Sequence, residues 1–552
     1  MTNTMLTLLS AQRLAEHYAA GHWRDTTIYM QALEHAEQHP GRYAVRDATR
    51  RLTYRELIEA ADRLAGQLRA RGVRPGQRVA VWLPSRVETA VALLACSRDG
   101  FVCCPSLHRD HTVGEVVELL ERMRAAAVIA QIGYGADGDR RDMQEACLAV
   151  LPDCLRIGLE RPDADAPADV FAGDVGAGLA VRHNSDPNRV MYLAFTSGTT
   201  GQPKGVMHSD NTLLSNARAM AQDWNIHSES VIYTLSPLSH NLGLGALITA
   251  LAVGGELVVH DLPRGRSLLD RLAQVGATFL FGVPTHAVDL LAEMRARGKG
   301  QLGKLRGFRI SGAAASAEVI RELMRHGVMP QSGYGMTEAC SHQYTLPTDD
   351  PALIAGSCGR SCPGFEIRIF RQDDADVEAA VGETGQIGGR GASLMLGYFD
   401  DQAATEAAFN STGWFMTGDL GWVDADGYLR ITGRKKDIII RGGHNIHPAR
   451  IESLATRHPG IEKAAAVPVK DVRLGERVCL AVVLRNGAAI EPGALLQHLD
   501  EAGLSKFDMP EYVLFLDDMP LTASGKTLKR ELVRRIEEGG LEPSPVWFQR
   551  AV

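Results

Sequence analysis

Through about residue 430, short runs of Val, Ile and Leu alternate with stretches that are apolar at helical spacing, and few folds accept such an alternation. Strands apolar on both faces need cover on both faces, so helices must lie above and below a largely parallel sheet. The class is α/β. Residues 57–68 repeat apolar side chains at helical spacing, residues 78–83 follow as a strand, and residues 277–283 read as a buried strand. Past Arg434 the texture changes: a basic cluster at 434–436 and a glycine pair, Gly442 and Gly443, precede a new series of short elements. A helix begun by Pro448, strands over 464–469, 478–484 and 513–516, and a helix near 494–501 predict a compact α+β domain. The reading is therefore a large region, 1–435, and a small C-terminal domain, 436–552.

Charge and cysteine usage narrow the function classes. Lys and Arg number 59 against 66 Asp and Glu, so no basic excess is available to neutralise a polynucleotide, and no nucleic-acid partner is expected. Nine cysteines, an odd number scattered over 552 residues, read as reduced thiols and a cytoplasmic location. The longest apolar stretch, 242–259, is interrupted by glycines and an acid, so no membrane span is predicted.

The strongest chemical signal follows the apolar run 190–195: Thr196, Ser197, Gly198, Thr199, Thr200, Gly201, Gln202, Pro203, Lys204, Gly205. Glycines let backbone N–H groups turn toward one point, hydroxyls add compact donors, and Lys204 adds a mobile cation, which together suit a polyphosphate. Pro203 sits where a Walker loop needs glycine, so this is another kind of phosphate loop. A formal dinucleotide motif, Gly133, Gly135 and Gly138, is followed by four charged residues instead of a packing helix and reads as a solvated loop. Further along, Tyr334-Gly335-Met336-Thr337-Glu338 sets a hydroxyl beside a carboxylate that could hold Mg²⁺, and Asp419 in Thr417-Gly418-Asp419 could accept from both hydroxyls of a ribose. Near the end, Lys526 stands on a small-residue loop as a cation able to reach developing negative charge.

These segments, in this order, resemble the adenylate-forming (AMP-binding) superfamily, which includes acyl-CoA synthetases and aryl-acid activating enzymes. The resemblance runs from Leu52 to Lys526. It implies layered α/β sheets with a small β-barrel-like part in the N-terminal region and a mobile C-terminal domain turning about Lys436. It implies ATP, Mg²⁺ and coenzyme A, with Glu338 on the metal, Thr337 on phosphate, and Gly312, Ala313, Ala314 and Tyr334 along the adenine. Asp419 and Arg434 then hold the ribose, Lys526 drives adenylation, and Gly443 lines the thiol channel. The acid pocket takes in His240, Asn241, Gly245 and Gly333, with His240 at the acyl carbonyl.

Residues 236–241 offer no aspartate for a substrate ammonium, which disfavours an amino acid. Leu242, Leu244 and Ala246 point to a mainly apolar acid, aromatic, alicyclic or medium-chain, and the small Gly243 and Gly245 to room for length. The implied activity is an AMP-forming carboxylate–CoA ligase. The alternative is a stand-alone adenylating enzyme that loads a carrier protein.

Overall fold

The computed structural model describes residues 5–162, 171, 186–196, 203–263, 265–298, 302–312, 315–442, 444–522 and 526–547. The chain packs as two compact units, residues 1–367 with 389–409, and residues 368–388 with 410–552. Packing thus groups residues 368–388 and 410–435 with the C-terminal residues, ahead of the boundary drawn at Lys436.

The first unit holds two sheets, and both have parallel centres. In one, the order is Leu155–Leu159, Ala125–Gln131, Arg78–Trp82, Val102–Cys104, Val190–Thr196 and Lys204–Ser209, with only the last pair antiparallel. In the other, nine strands run from Arg360–Ser361 through Cys340–Tyr344, Met329–Met336, Gly307–Ser311 and Phe279–Gly282 to Arg51–Thr53. The helix Val87–Asp99 is buried along its whole length and meets strands of both sheets, so its sequence is apolar around nearly the full circumference. Its buried charges are paired: Glu88 with Arg50 and Arg86, Arg98 with Asp62 and Asp99. Before it, Tyr54–Ala70 begins at a reciprocal capping box of Thr53 and Glu56.

The glycine motif at 133–138 forms a loop, and the next helix starts only at Met143. Its glycines serve packing. A Cβ on Gly135 would lie 2.4 Å from the Trp82 ring, and buried Asp137 accepts from the Val113 N–H at the start of the helix Val113–Met123.

A four-stranded sheet runs in the order Phe365–Phe370, Gly385–Gly391, Phe415–Val423 and Leu429–Arg434, where a β-barrel-like part was implied. The C-terminal part is built on a long hairpin, Ile461–Asp471 with Gly475–Leu484. Period-two alternation sends Val478, Leu480 and Val482 to one core under the helices Pro448–Ala455 and Pro492–Glu501. Cys479, Ala481 and Val483 face the other, under Lys529–Glu537. No helix among the described residues is long and apolar enough to cross a membrane.

Candidate active site

In the first unit the phosphate loop joins two antiparallel strands that set Thr196 opposite Lys204, so both ends of the loop are held by a ladder. Ser197, Gly198, Thr199 and Thr200 lie outside the described residues. Beside the second strand runs residues 396–399: Met207 N–H donates to the Gly397 carbonyl, and Phe399 N–H to that of Gly205. A Cβ on Gly205 would meet Leu193 at 3.0 Å and Phe399 at 3.2 Å, so this glycine permits the close approach. The approach brings Tyr398 under Lys204, whose Nζ lies 4.7 Å from the ring centroid.

Thr337 and Glu338 occupy the tip of a hairpin between Met329–Met336 and Cys340–Tyr344, in which Met336 pairs with Cys340 and Cys340 takes a positive φ of 56°. Tyr398 Oη donates to Glu338 Oε1 at 3.0 Å, and burial together with this carboxylate pushes the phenol pKa well up. The Glu338 carbonyl accepts from Met395 N–H at 2.7 Å. Behind Thr337, buried His208 is neutral, since burial holds its pKa down at about 4. Its Nε2–H donates to the Thr337 carbonyl at 2.7 Å, which leaves Nδ1 to accept from Thr212 Oγ1 at 3.0 Å. One tyrosine therefore joins the loop lysine to the turn carboxylate, and one histidine pins the turn. Sequence reasoning missed both; the Gly397-Tyr398-Phe399 triplet, an aromatic pair after a glycine, was the available signal.

The residues expected on the acid side adjoin the same turn. His240 is the N-cap of the helix Asn241–Val253, and Asn241 Nδ2 donates to the Met336 carbonyl at 3.3 Å. The amide implied for substrate contact is thus engaged in tying helix to strand. The His240 ring stacks on His108, centroids 4.1 Å apart and planes 14° off parallel, and His108 Nδ1 bonds Ser239 Oγ at 3.1 Å. Burial first, then the facing His240, keeps His108 neutral, its pKa held down at about 3. The two helix glycines differ. A Cβ on Gly243 would fall 2.2 Å from the Pro237 carbonyl oxygen, whereas one on Gly245 would meet nothing within 4 Å. Open space therefore adjoins Gly245, and Gly243 is a packing residue. Gly312 ends its strand at φ 93°, Ala313 and Ala314 lie outside the described residues, and Tyr334 is buried with His342 edge-on at 5.0 Å.

In the second unit, Asp419 and Arg434 stand opposite each other on paired strands, with Oδ1 and Nε 3.2 Å apart. Asp419 is buried and Arg434 largely exposed, so the pair presents a held carboxylate beside a reachable guanidinium. Lys436 lies in the single 3₁₀ turn Lys435–Asp437, and Lys435 Nζ donates to Gln386 Oε1. Lys526 is exposed; its N–H donates to Thr522 Oγ1 and its carbonyl accepts from Thr522 N–H. Gly443 lies outside the described residues.

Among the described residues no cluster of three or more metal-ligating side chains occurs. The single carboxylate of Glu338 fits Mg²⁺, which completes its shell from phosphate oxygens and water and needs no cage of protein ligands.

The pattern of the AMP-binding enzyme family matches residues 33–399, and that of the AMP-binding enzyme C-terminal domain matches residues 450–526. A 3-[(3aS,4S,7aS)-7a-methyl-1,5-dioxo-octahydro-1H-inden-4-yl]propanoyl:CoA ligase from Mycobacterium tuberculosis is 34% identical, over 90% of this chain and 96% of its own. A medium-chain fatty-acid–CoA ligase from Escherichia coli is 31% identical, over 97% and 96%. The fold is similar to that of o-succinylbenzoate CoA synthetase from Bacillus subtilis in complex with its acyl-adenylate intermediate, with a TM-score of 0.79 and 26% identity over 92% of this chain and 98% of that one.

Proposed function

The chain belongs to the AMP-binding enzyme family, and from that premise we propose that it is an AMP-forming carboxylate–CoA ligase acting on an aromatic, alicyclic or medium-chain acid. The observation that carries this reading is the hairpin tip at Thr337 and Glu338. Lys204 reaches it through Tyr398, and the acid-side helix is tied to the residue before it by Asn241. The convergence of a lysine, a carboxylate and the helix expected to border the acid on one turn supports this reading.

Carboxylates are poor acyl donors, so the acid must first gain a leaving group. In the first half-reaction its oxygen attacks the α-phosphate of ATP and pyrophosphate departs. Lys204 and the loop hydroxyls hold the polyphosphate, Thr337 donates to a phosphate oxygen, and Asp419 with Arg434 takes the ribose. Magnesium on Glu338 would supply charge neutralisation at the phosphates. Lys526 sets its ammonium between the attacking carboxylate and the α-phosphate as charge develops. In the second half-reaction the coenzyme A thiol attacks the acyl carbonyl beside His240 and AMP leaves. Neutral His108 holds the His240 ring by stacking. Lys436 is the hinge for the C-terminal domain 436–552, and Gly443 lets backbone approach the pantetheine arm.

The test is pyrophosphate release and CoA-dependent AMP formation over benzoates, cyclohexane carboxylates and graded fatty acids. Turnover that requires CoA supports the ligase. Acid-dependent pyrophosphate release that CoA cannot sustain assigns the acyl group to a carrier protein instead, and silence across the panel refutes the substrate class.

A further inference from the structure

Lys204 and Glu338 carry opposite charges, both are partly accessible, and both meet one buried side chain, Tyr398. The ammonium lies over the face of its ring, Nζ 4.7 Å from the centroid, and the carboxylate takes its hydroxyl, with Oη and Oε1 3.0 Å apart. Lys204 forms no ion pair with a carboxylate among the described residues. A partly desolvated ammonium and carboxylate this near to one another attract, so something must hold them apart. The phenol satisfies each separately: its π-face is negative toward the ammonium, and its hydroxyl hydrogen is positive toward the carboxylate. Burial and the carboxylate push the phenol pKa well up, which keeps the hydroxyl a donor.

The ring is also fixed from both sides. Phe399 N–H donates to the Gly205 carbonyl and Met207 N–H to that of Gly397, which brackets Tyr398 against the strand Lys204–Ser209 with Val206 opposite it. The N–H of Tyr398 itself donates to Thr405 Oγ1 at 2.9 Å. Toward the turn, Met395 N–H donates to the Glu338 carbonyl at 2.7 Å, and Ser393 Oγ to the Ala339 carbonyl at 3.1 Å. Neither charge can draw the ring aside to reach the other without breaking these bonds. A direct pair would neutralise the two groups expected to meet phosphate and Mg²⁺, and both ligands would then have to break it before binding.

We propose that Tyr398 is a positioning residue that keeps Lys204 and Glu338 from pairing with each other, and so holds a cation ready for the phosphates of ATP and a carboxylate ready for Mg²⁺. This rests on the ligase reading and deepens it by naming the side chain that prevents its nucleotide site from neutralising itself. The ring provides the separation, and the hydroxyl sets the direction of the carboxylate. Tyr398→Phe therefore keeps the two groups apart, whereas Tyr398→Leu removes the aromatic face and lets them meet.

The experiment has a ligand-free arm and a nucleotide arm. Crystal structures of the ligand-free natural chain and of Tyr398→Leu should show Lys204 Nζ within about 4 Å of a Glu338 carboxylate oxygen in the variant alone. Calorimetry in EDTA then measures the Kd of ATP. Tyr398→Leu should weaken binding by about tenfold, and Tyr398→Phe by about twofold or less. Adding Glu338→Gln to Tyr398→Leu should recover most of that loss, because the ammonium is released, and by a clearly larger factor than the same substitution gives in the natural chain. An ion pair absent from the Tyr398→Leu structure, or equal effects of Glu338→Gln in the two backgrounds, would overturn the proposal and leave Tyr398 a packing residue. Should Tyr398→Leu not fold, Tyr398→Met takes its place in each measurement. If ATP binds to none of these chains, the ligase reading fails by itself, and the ligand-free structures still decide whether the ring separates the charges.

Discussion

Lys526 illustrates how a single side chain acquires a role from its surroundings. Its backbone is tied to Thr522 at both its N–H and its carbonyl, which fixes the point from which the side chain extends. Lys526→Ala should lower acyl-AMP formation by about 10²–10³-fold, the scale for loss of one donor to developing charge. Conversion of supplied acyl-AMP to thioester should remain within a few-fold of the natural chain. Equal loss in both half-reactions, read by pyrophosphate release and by thioester formation, would remove Lys526 from its role. At this scale Lys204, Glu338 and Asp419 could be singled out from sequence, because chemistry restricts which residue types can offer charge or donors to a phosphate, a metal or a ribose. Tyr398, His208 and His108 were not, because each acts on a partner 60 or more residues away and its type alone is that of a core residue.

At the scale of elements, the helix Asn241–Val253 makes the same residue type do opposite work at two positions. Gly243 gives the helix its closest approach to the Pro237 carbonyl, so Gly243→Ala should cost about 2–3 kcal/mol in urea unfolding by overpacking. Gly245 faces open space, and Gly245→Ala should be stabilising by up to about 1 kcal/mol from helix propensity. Gly245→Leu should reduce kcat/KM for the longest acids while sparing short ones. A uniform loss over all acid lengths would show that Gly245 lies outside the pocket. The sequence pattern Gly-Leu-Gly predicted small residues and room together. Only the neighbours of each Cα decide which of the two a glycine provides.

For the whole molecule, buried neutral histidines set the response to acid. Burial holds the pKa of His108 and His342 down at about 3, and of His208 and His286 at about 4. All four take up protons on unfolding below pH 6.5, so their contribution to stability is present above that value and is lost as pH falls. Asp210 and Asp261 work the other way: burial raises them to about 7 and about 6, so the folded state keeps protons the unfolded chain releases. For these six groups the balance near pH 5 is about two protons, a contribution of about 3 kcal/mol lost per pH unit on acidification. Urea midpoints of the first unit at pH 5 and 6 check this, and His208→Gln should flatten the slope by about 1.4 kcal/mol per unit. Lys436→Pro should retain adenylation and lose thioester formation, measured on the two half-reactions, if the C-terminal domain turns there. By itself the sequence determined the α/β class, the strand and helix periods and the family, since these follow from local spacing and from residue types that phosphate chemistry demands. The tertiary structure alone decided that Tyr398 links Lys204 to Glu338, that Asn241 is tied to Met336, and that Arg309 is buried with no carboxylate paired to it among the described residues. Those depend on distant segments brought within hydrogen-bond reach, and hydrogen bonds and desolvation act over a few ångströms of space, whatever the separation along the chain.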